Sequence, residues 1–323
     1  MNIALAQINT TVGDLGGNVA RCLEASEAGR AQGADLVVLP EMAVPGYPPR
    51  DILFDSSFRE AAFEATHDLA ARAADGPPVL VGTIVASEKN APNHPRLYNA
   101  AVLLHGGDAQ LVAAKQLLPA YDVFHEPRWF VPGDASTPIT VAGKRVGVLV
   151  CEDLWDEGHA HHPPADLIAA GAEVLITISA SPYRRGVMAK RLAQARRPRY
   201  PLIYANLCGA TDELIFDGRS FALDAEGELL AQLPGFEEAV QVVDLAAASP
   251  KHPTSNVQPP EETIFQALTL GVQDFFRKNG MRRAFLGLSG GIDSAVGAAI
   301  AAEALGPANV TAVAIPGRYT DPR

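Results

Sequence analysis

Cysteine is scarce in this sequence: Cys22, Cys151 and Cys208 are the only three in 323 residues. An odd set without metal-like spacing offers neither a disulfide framework nor a zinc site, and it suits a reducing compartment. Basic charge is also short, with 26 Lys and Arg against 37 Asp and Glu and a formal net charge of −11. Such a chain is a poor match for phosphate backbones or anionic membranes, so no nucleic-acid or membrane partner is expected. No apolar run approaches a membrane span, and Met1–Ile8 lacks the basic and apolar regions of an export signal. The expectation is a cytoplasmic protein. Hydrophobic residues make up 48% of the chain, enough for a large core.

Short apolar runs alternate with helical patterns through the first 245 residues. Asn2–Ile8, Asp35–Pro40, Pro78–Ala86, Arg145–Cys151, Glu173–Ser179, Leu202–Asn206 and Ala239–Val243 read as strands, several of them apolar on both faces. Asn18–Gln32, Asp55–Ala74 and the basic stretch Arg184–Arg197 read as helices. Leu97–Leu104 with Gln110–Lys115, and the stretch Gly218–Leu233, read as hairpins turning at Gly-containing loops. This mixture predicts layered sheets with helices outside. Ala246–Pro260, with Ser249-Pro250, His252-Pro253 and Pro259-Pro260, reads as a linker. Glu261–Lys278 then reads as a helix, Arg283–Leu288 as a strand, Ser294–Leu305 as a helix and Val310–Ile315 as a strand. That is one βαβ unit, expected to be the start of an incomplete domain.

Three polar residues stand where apolar strands end: Glu41 after Leu36–Pro40, Lys115 after Leu111–Ala114, and Cys151 after Val146–Val150. Strand ends of a layered α/β protein converge on one rim, where ligands collect. A thiol, a carboxylate and an ammonium suffice to cleave an amide. The thiolate attacks, favoured by the charge of Lys115. Glu41 carries the proton to departing ammonia. Lys115 and the backbone N–H after Cys151 hold the oxyanion. Cys22 and Cys208 read as core. His159, His161 and His162 lie in a Gly/Pro-rich loop without zinc-like partners. Arg184, Arg185, Lys190, Arg191, Arg196 and Arg197 read as a charged helix facing solvent or another subunit.

The blocks Leu39-Pro40-Glu41, Lys115-Gln116-Leu117-Leu118-Pro119 and Cys151-Glu152-Asp153-Leu154-Trp155 resemble those of the nitrilase superfamily, which implies an αββα sandwich over about residues 1–245. Gly46–Asp51, Tyr121–Glu126 and Asp212–Gly218 are similar to the glutaminase domain of glutamine-dependent NAD synthetases. That resemblance implies that Glu126 is a further carboxylate near the triad and that Tyr121, Ser181 and Tyr183 contact glutamine. A loop carboxylate paired with Arg128 is the plainer reading of Glu126.

In the second part, Phe285–Leu288 runs into Ser289-Gly290-Gly291-Ile292-Asp293-Ser294 and then a helix. Small residues there let backbone N–H groups and hydroxyls converge on an anion at a helix N-terminus. The string resembles the pyrophosphate loop of ATP-pyrophosphatase synthetases, the first βαβ unit of a Rossmann-like domain. Ile315–Thr320 resembles the next motif of the NAD synthetases. The resemblance implies ATP with Mg²⁺, deamido-NAD and glutamine as small-molecule partners, a homo-oligomer, ATP contacts at Ser289, Gly290, Gly291, Asp293 and Ser294, and no assigned metal ligand. Two departures stand out. Gly186-Val187 replaces the family's usual Gly-Lys, and Gly209-Ala210-Thr211 stands where Gly-Gly-Gln is common. The leading expectation is a glutamine-dependent NAD synthetase with an incomplete synthetase half. An amidase acting on another small amide and a catalytically silent scaffold are the alternatives.

Overall fold

The computed structural model describes residues 1–89, 95–247 and 259–314. The Ile315–Thr320 string and most of the 246–260 stretch lie outside the described residues. In chain order come β1 (Asn2–Gln7), α1 (Leu15–Ala31), β2 (Leu36–Val38), α2 (Ser56–Arg72), β3 (Val79–Ala86), β4 (Leu97–His105) and β5 (Asp108–Ala114). They are followed by β6 (Ile139–Val141), β7 (Lys144–Val150), α3 (Pro163–Ala169), β8 (Val174–Ser179), α4 (Val187–Arg196) and β9 (Leu202–Asn206). After these come β10 (Cys208–Thr211), β11 (Leu214–Asp217), β12 (Phe221–Leu223), β13 (Leu229–Gln232) and β14 (Ala239–Asp244). The last elements are α5 (Pro260–Lys278), β15 (Ala284–Leu288), α6 (Ile292–Leu305) and β16 (Val310–Ala314). Side chains start the two long early helices. Asp14 accepts from Gly17 N–H ahead of α1, and Asp55 accepts from Ser57 N–H ahead of α2.

The chain divides into two compact units. The first spans Met1–Cys208 and resumes at Phe216; the second takes in Gly209–Ile215 and the C-terminal elements. The first unit holds two six-stranded sheets, ordered β14-β1-β2-β3-β4-β5 and β13-β12-β9-β8-β7-β6. Val38 and Leu80 of one sheet pack against Val148 and Ile176 of the other in a shared core. The outer face of the first sheet, with Val37 and Val81, packs on Val19 and Cys22 of α1 and Leu69 of α2. The outer face of the second, with Leu175 and Phe221, packs on Leu167 of α3 and Ala195 of α4. The result is the nitrilase-like αββα sandwich. Each fully buried Leu or Ile contributes roughly 1.5–3 kcal/mol.

Strand direction positions the site. β2 runs parallel to β3, β4 antiparallel to β3, and β5 antiparallel to β4, so β2 and β5 end on the same rim. Glu41 and Lys115 follow those two ends. In the other sheet β7, β8 and β9 are parallel, and Cys151 follows β7.

The second unit is described by itself. β15 and β16 are parallel neighbours with α6 between them in sequence, a βαβ unit. Its apolar side chains are open to solvent: Phe285 is 76% exposed and Ile292 75%. The β10–β11 hairpin is held to α5 by Asp274, whose buried carboxylate accepts from Ala210 N at 2.7 Å. Lys278 Nζ donates to Ala210 O at 2.8 Å.

Several elements differ from the sequence reading. The stretch after the histidines forms α3, Ile139–Val141 is a strand, and Cys208–Asp217 is a hairpin where no element was expected. The charged helix starts only at Val187, after Gly186 at φ +77. Arg191 on that helix is fully buried, not solvated. Among the described residues no helix is long and apolar enough to cross a membrane.

Candidate active site

Glu41 lies just beyond β2 on a loop that crosses Gly82 of β3 at very close range. Gly82 N–H donates to Pro40 O at 3.1 Å, and a Cβ there would sit 2.3 Å from Met42 N and 2.5 Å from Glu41 Cα. A residue without a side chain is what lets the loop bring Glu41 inward. The Glu41 carboxylate has no solvent exposure. Its Oε1 accepts from Asn99 Nδ2 at 2.6 Å and Lys115 Nζ at 3.0 Å, and its Oε2 from Ala180 N at 2.7 Å.

Lys115 points inward as well, 1% exposed. Its ammonium bridges Glu41 Oε1 and Glu126 Oε1, the latter at 2.8 Å. Burial disfavours the charge, but the Glu126 and Glu41 carboxylates outweigh it and hold the Lys115 pKa well above its ordinary value. Glu126 therefore pairs with Lys115. Arg128 pairs instead with Asp51, Nε to Oδ1 at 2.9 Å. Burial pushes Glu126 up to about 7, while Lys115 pulls the other way. Tyr47 donates to the same Glu126 Oε1 at 3.1 Å, and Glu126 Oε2 is buried without a hydrogen-bond partner.

Cys151 begins a short 3₁₀ turn after β7 and takes φ +47, a left-handed backbone uncommon for residues with a side chain. Its buried thiol feels the charges of Glu41, Lys115, Glu152 and Glu126. Burial first, and Glu41 second, push the thiol well above its ordinary pKa, with Lys115 only partly offsetting them. Lys115 does favour the thiolate, as the sequence led us to expect, but burial and the Glu41 carboxylate outweigh it and favour the thiol. A base must remove its proton during attack, and Glu41 is the carboxylate with the largest effect on it.

Of the residues expected to hold substrate, Ser181 and Tyr121 lie against this cluster. Ser181 follows Ala180, whose N–H meets Glu41; its own N–H donates to Asn206 Oδ1 at 2.9 Å. Tyr121 is half-exposed and donates to both oxygens of Glu152, each at 2.9 Å. Tyr183 packs edge-on against Phe236 at 5.2 Å. Val187 is buried, and Arg184, Arg185 and Lys190 are exposed. Arg191 Nη2 donates to Ser181 O at 2.7 Å and Nε to Ser181 Oγ at 3.2 Å. Asn99, Tyr47 and Arg191 were missed by sequence reasoning. Only strand alternation could have turned Asn99 inward; Tyr47 lies in the Gly46–Asp51 block without a role having been read from it, and nothing local marks Arg191.

In the second unit, Ser289–Gly291 forms the turn between β15 and α6, and Ile292–Ser294 opens the helix. Ser289 N–H donates to Ser294 Oγ at 3.3 Å, Gly291 N–H to Ser289 Oγ at 3.3 Å, and Gly290 takes φ +82. Small exposed residues leave room for a phosphate at the start of a 14-residue helix. Asp293 lies in the first turn of α6. Among the described residues no group of three or more His, Cys, Asp or Glu could hold a metal ion.

The carbon-nitrogen hydrolase family profile matches residues 2–250, and the NAD synthase profile matches residues 264–323. A glutamine-dependent NAD(+) synthetase of Rhodobacter capsulatus is 44% identical over 329 residues, covering 98% of this chain and 57% of that protein. The solved glutamine-dependent NAD+ synthetase of Acinetobacter baumannii, in complex with ADP, superposes with a TM-score of 0.88 at 29% identity, over 99% of this chain and 60% of that one. A nitrilase-superfamily amidase from Nesterenkonia AN1 gives a TM-score of 0.63 at 26% identity, over 76% of this chain and 90% of that one. The chain thus spans somewhat more than half the length of the two synthetases. With a profile match over 2–250 and the buried Glu41–Lys115 pair behind Cys151, the chain belongs to the carbon-nitrogen hydrolase family.

Proposed function

We propose that this chain is the glutaminase part, and the beginning of the synthetase part, of a cytoplasmic glutamine-dependent NAD synthetase. Cys151 Sγ attacks the side-chain amide carbon of glutamine while Glu41 takes its proton. The negative oxygen of the tetrahedral state is held by the Lys115 ammonium and the Glu152 backbone N–H. Glu41 returns the proton to nitrogen, the C–N bond breaks and ammonia leaves. Water, deprotonated by Glu41, then cleaves the thioester to glutamate and restores the thiol. Glu126 keeps Lys115 in place and offers its free Oε2 towards the substrate nitrogen. Tyr121, Ser181 and Tyr183 would hold the amino-acid end.

The single observation that carries this reading is the buried Lys115 ammonium bridging Glu41 and Glu126, whose charges all act on the buried Cys151 thiol. The E41Q mutant of the Nesterenkonia amidase shows Michael addition of acrylamide at its active-site cysteine, which supports a nucleophilic role for Cys151. On the synthetase side, Ser289, Gly290, Gly291, Asp293 and Ser294 would cradle the phosphates of ATP. Mg²⁺ would accompany the nucleotide and neutralise its charge, and deamido-NAD would receive the ammonia. The test is ammonia release from glutamine by the wild-type chain and by Cys151→Ala. Hydrolysis by the variant near the wild-type rate would refute the covalent route.

One observation favours a second reading, an amidase for another small amide. Val187 is buried where the synthetase resemblance implies a lysine, so this position brings no charge to a substrate carboxylate. Comparing glutamine with uncharged short amides decides between the two readings.

A further inference from the structure

Asp153 lies two residues past the nucleophile, and its side chain is closed off from solvent. It touches neither Glu41 nor Glu126; its bonds go to the backbone that carries the site. Oδ1 accepts from Gln116 N and Leu117 N, both at 2.9 Å. Oδ2 accepts from Val150 N at 3.1 Å. Gln116 and Leu117 follow Lys115 at the end of β5, and Val150 precedes Cys151 at the end of β7. These strands belong to different sheets of the sandwich. One carboxylate therefore joins the segment bearing the ammonium to the segment bearing the thiol.

We propose that Asp153 is a positioning residue that sets the Lys115 ammonium against the Cys151 thiol by strapping together the ends of β5 and β7. Three features of the site point to this role. The main chain at Lys115 is pinned on both sides, its N–H donating to Asn99 O at 2.8 Å and its C=O accepting from Gly133 N at 2.8 Å, so the following residues fix its remaining freedom. Cys151 holds an unfavourable left-handed backbone, which persists only where neighbouring contacts over-determine it, and the bond from Val150 N–H is one of them. Finally, a buried carboxylate is costly to desolvate, and a residue serving packing alone would need no charge there. Burial pushes Asp153 up to about 7, with the Leu117, Val150 and Gln116 N–H donors pulling the other way.

The proposal rests on the amidase reading of Glu41, Lys115 and Cys151, and its test keeps the two apart. The variants are Asp153→Asn, which puts an amide N–H₂ where one acceptor stood, and Asp153→Ala, which removes both acceptors. Each is compared with wild type by thermal unfolding, by kcat and KM for glutamine, and by the rate at which iodoacetamide alkylates Cys151 at fixed pH. Alkylation needs no substrate, so it reports the thiol's surroundings even if glutamine is the wrong amide. A misplaced Lys115 stabilises the thiolate less. The expected result is a folded variant whose alkylation rate and kcat both fall by about tenfold to a hundredfold, with KM little changed. Wild-type alkylation and turnover in a folded variant would overturn the proposal. Loss of the folded state in both variants would overturn it too, since it would make Asp153 a stability residue of the whole unit. Failure of the amidase reading shows differently, as undiminished hydrolysis by Glu41→Gln.

Discussion

Arg191 and Asp217 form an ion pair out of reach of solvent, Nη1 to Oδ1 at 2.7 Å. The same guanidinium spends its other donors on the Ser181 segment, binding Ser181 O, Ser181 Oγ and Pro182 O. A side chain in the middle of a basic helix thus holds a loop of the candidate site.

Arg191→Met should therefore destabilise the protein far more than removal of a surface arginine. It leaves the Asp217 charge buried and without its closest partner, a change that typically costs about 3–5 kcal/mol. Replacing Asp217 by Leu in the same chain should recover part of that loss, because the buried carboxylate, left with Arg219 alone at 3.8 Å, is then gone. Urea unfolding midpoints of the single and double variants check this. A single variant as stable as wild type would mean the pair is not formed.

Gly82→Ala should damage activity beyond its effect on stability. The added methyl would meet Met42 N, Pro40 O and Glu41 Cα at 2.3–2.5 Å, so the Glu41 loop must move. Overpacking of this kind costs about 1–3 kcal/mol, and a displacement of about an ångström at a reacting group costs about a hundredfold in rate. The check is ammonia release measured well below the melting temperature, where the protein is still folded.

Glu126 offers a prediction in pH. Its folded pKa of about 7 lies above its ordinary value of 4.5. Between those values the folded state holds a proton that the unfolded state has lost. The stability it contributes is complete below pH 4.5 and disappears as pH rises through about 7. Glu126→Gln cannot ionise, so the variant's melting temperature should gain on that of wild type across this interval and then level off. A constant difference between the two melting curves at all pH values would contradict it.

The parts of the site readable in the sequence share one property: they sit where a local pattern changes. Glu41, Lys115 and Cys151 each end an apolar run, and apolar runs are written in consecutive residues. Layered sheets with helices outside were legible for the same reason, through strands apolar on both faces; the αββα sandwich itself came from the resemblance. What escaped depends on partners distant in sequence. Arg191 looks like any other charge on a basic helix until Asp217, 26 residues on, closes over it. Glu126 was expected near the triad on the resemblance alone, since its local sequence offers Arg128 as a partner; it meets Lys115 because the end of β5 turns that side chain inward. The hairpin Cys208–Asp217 has only short strands, too brief for a period of two to announce itself.

That hairpin also separates order along the chain from order in space. The run Gly209–Ile215 is encoded well before the end of the first domain's sequence, yet it clusters with elements encoded after residue 256. The buried Asp274 of α5 accepts from Ala210 N–H as well as from Arg277 and Lys278 of its own helix. A scissor cut in the Pro-rich stretch between β14 and α5 would look, on paper, like a clean excision. It would strip α5 of a donor that belongs to the other fragment, and leave the Asp274 carboxylate to Arg277 and Lys278 of its own helix. Anyone recombining such parts among relatives must transplant the hairpin and the helix as a matched set.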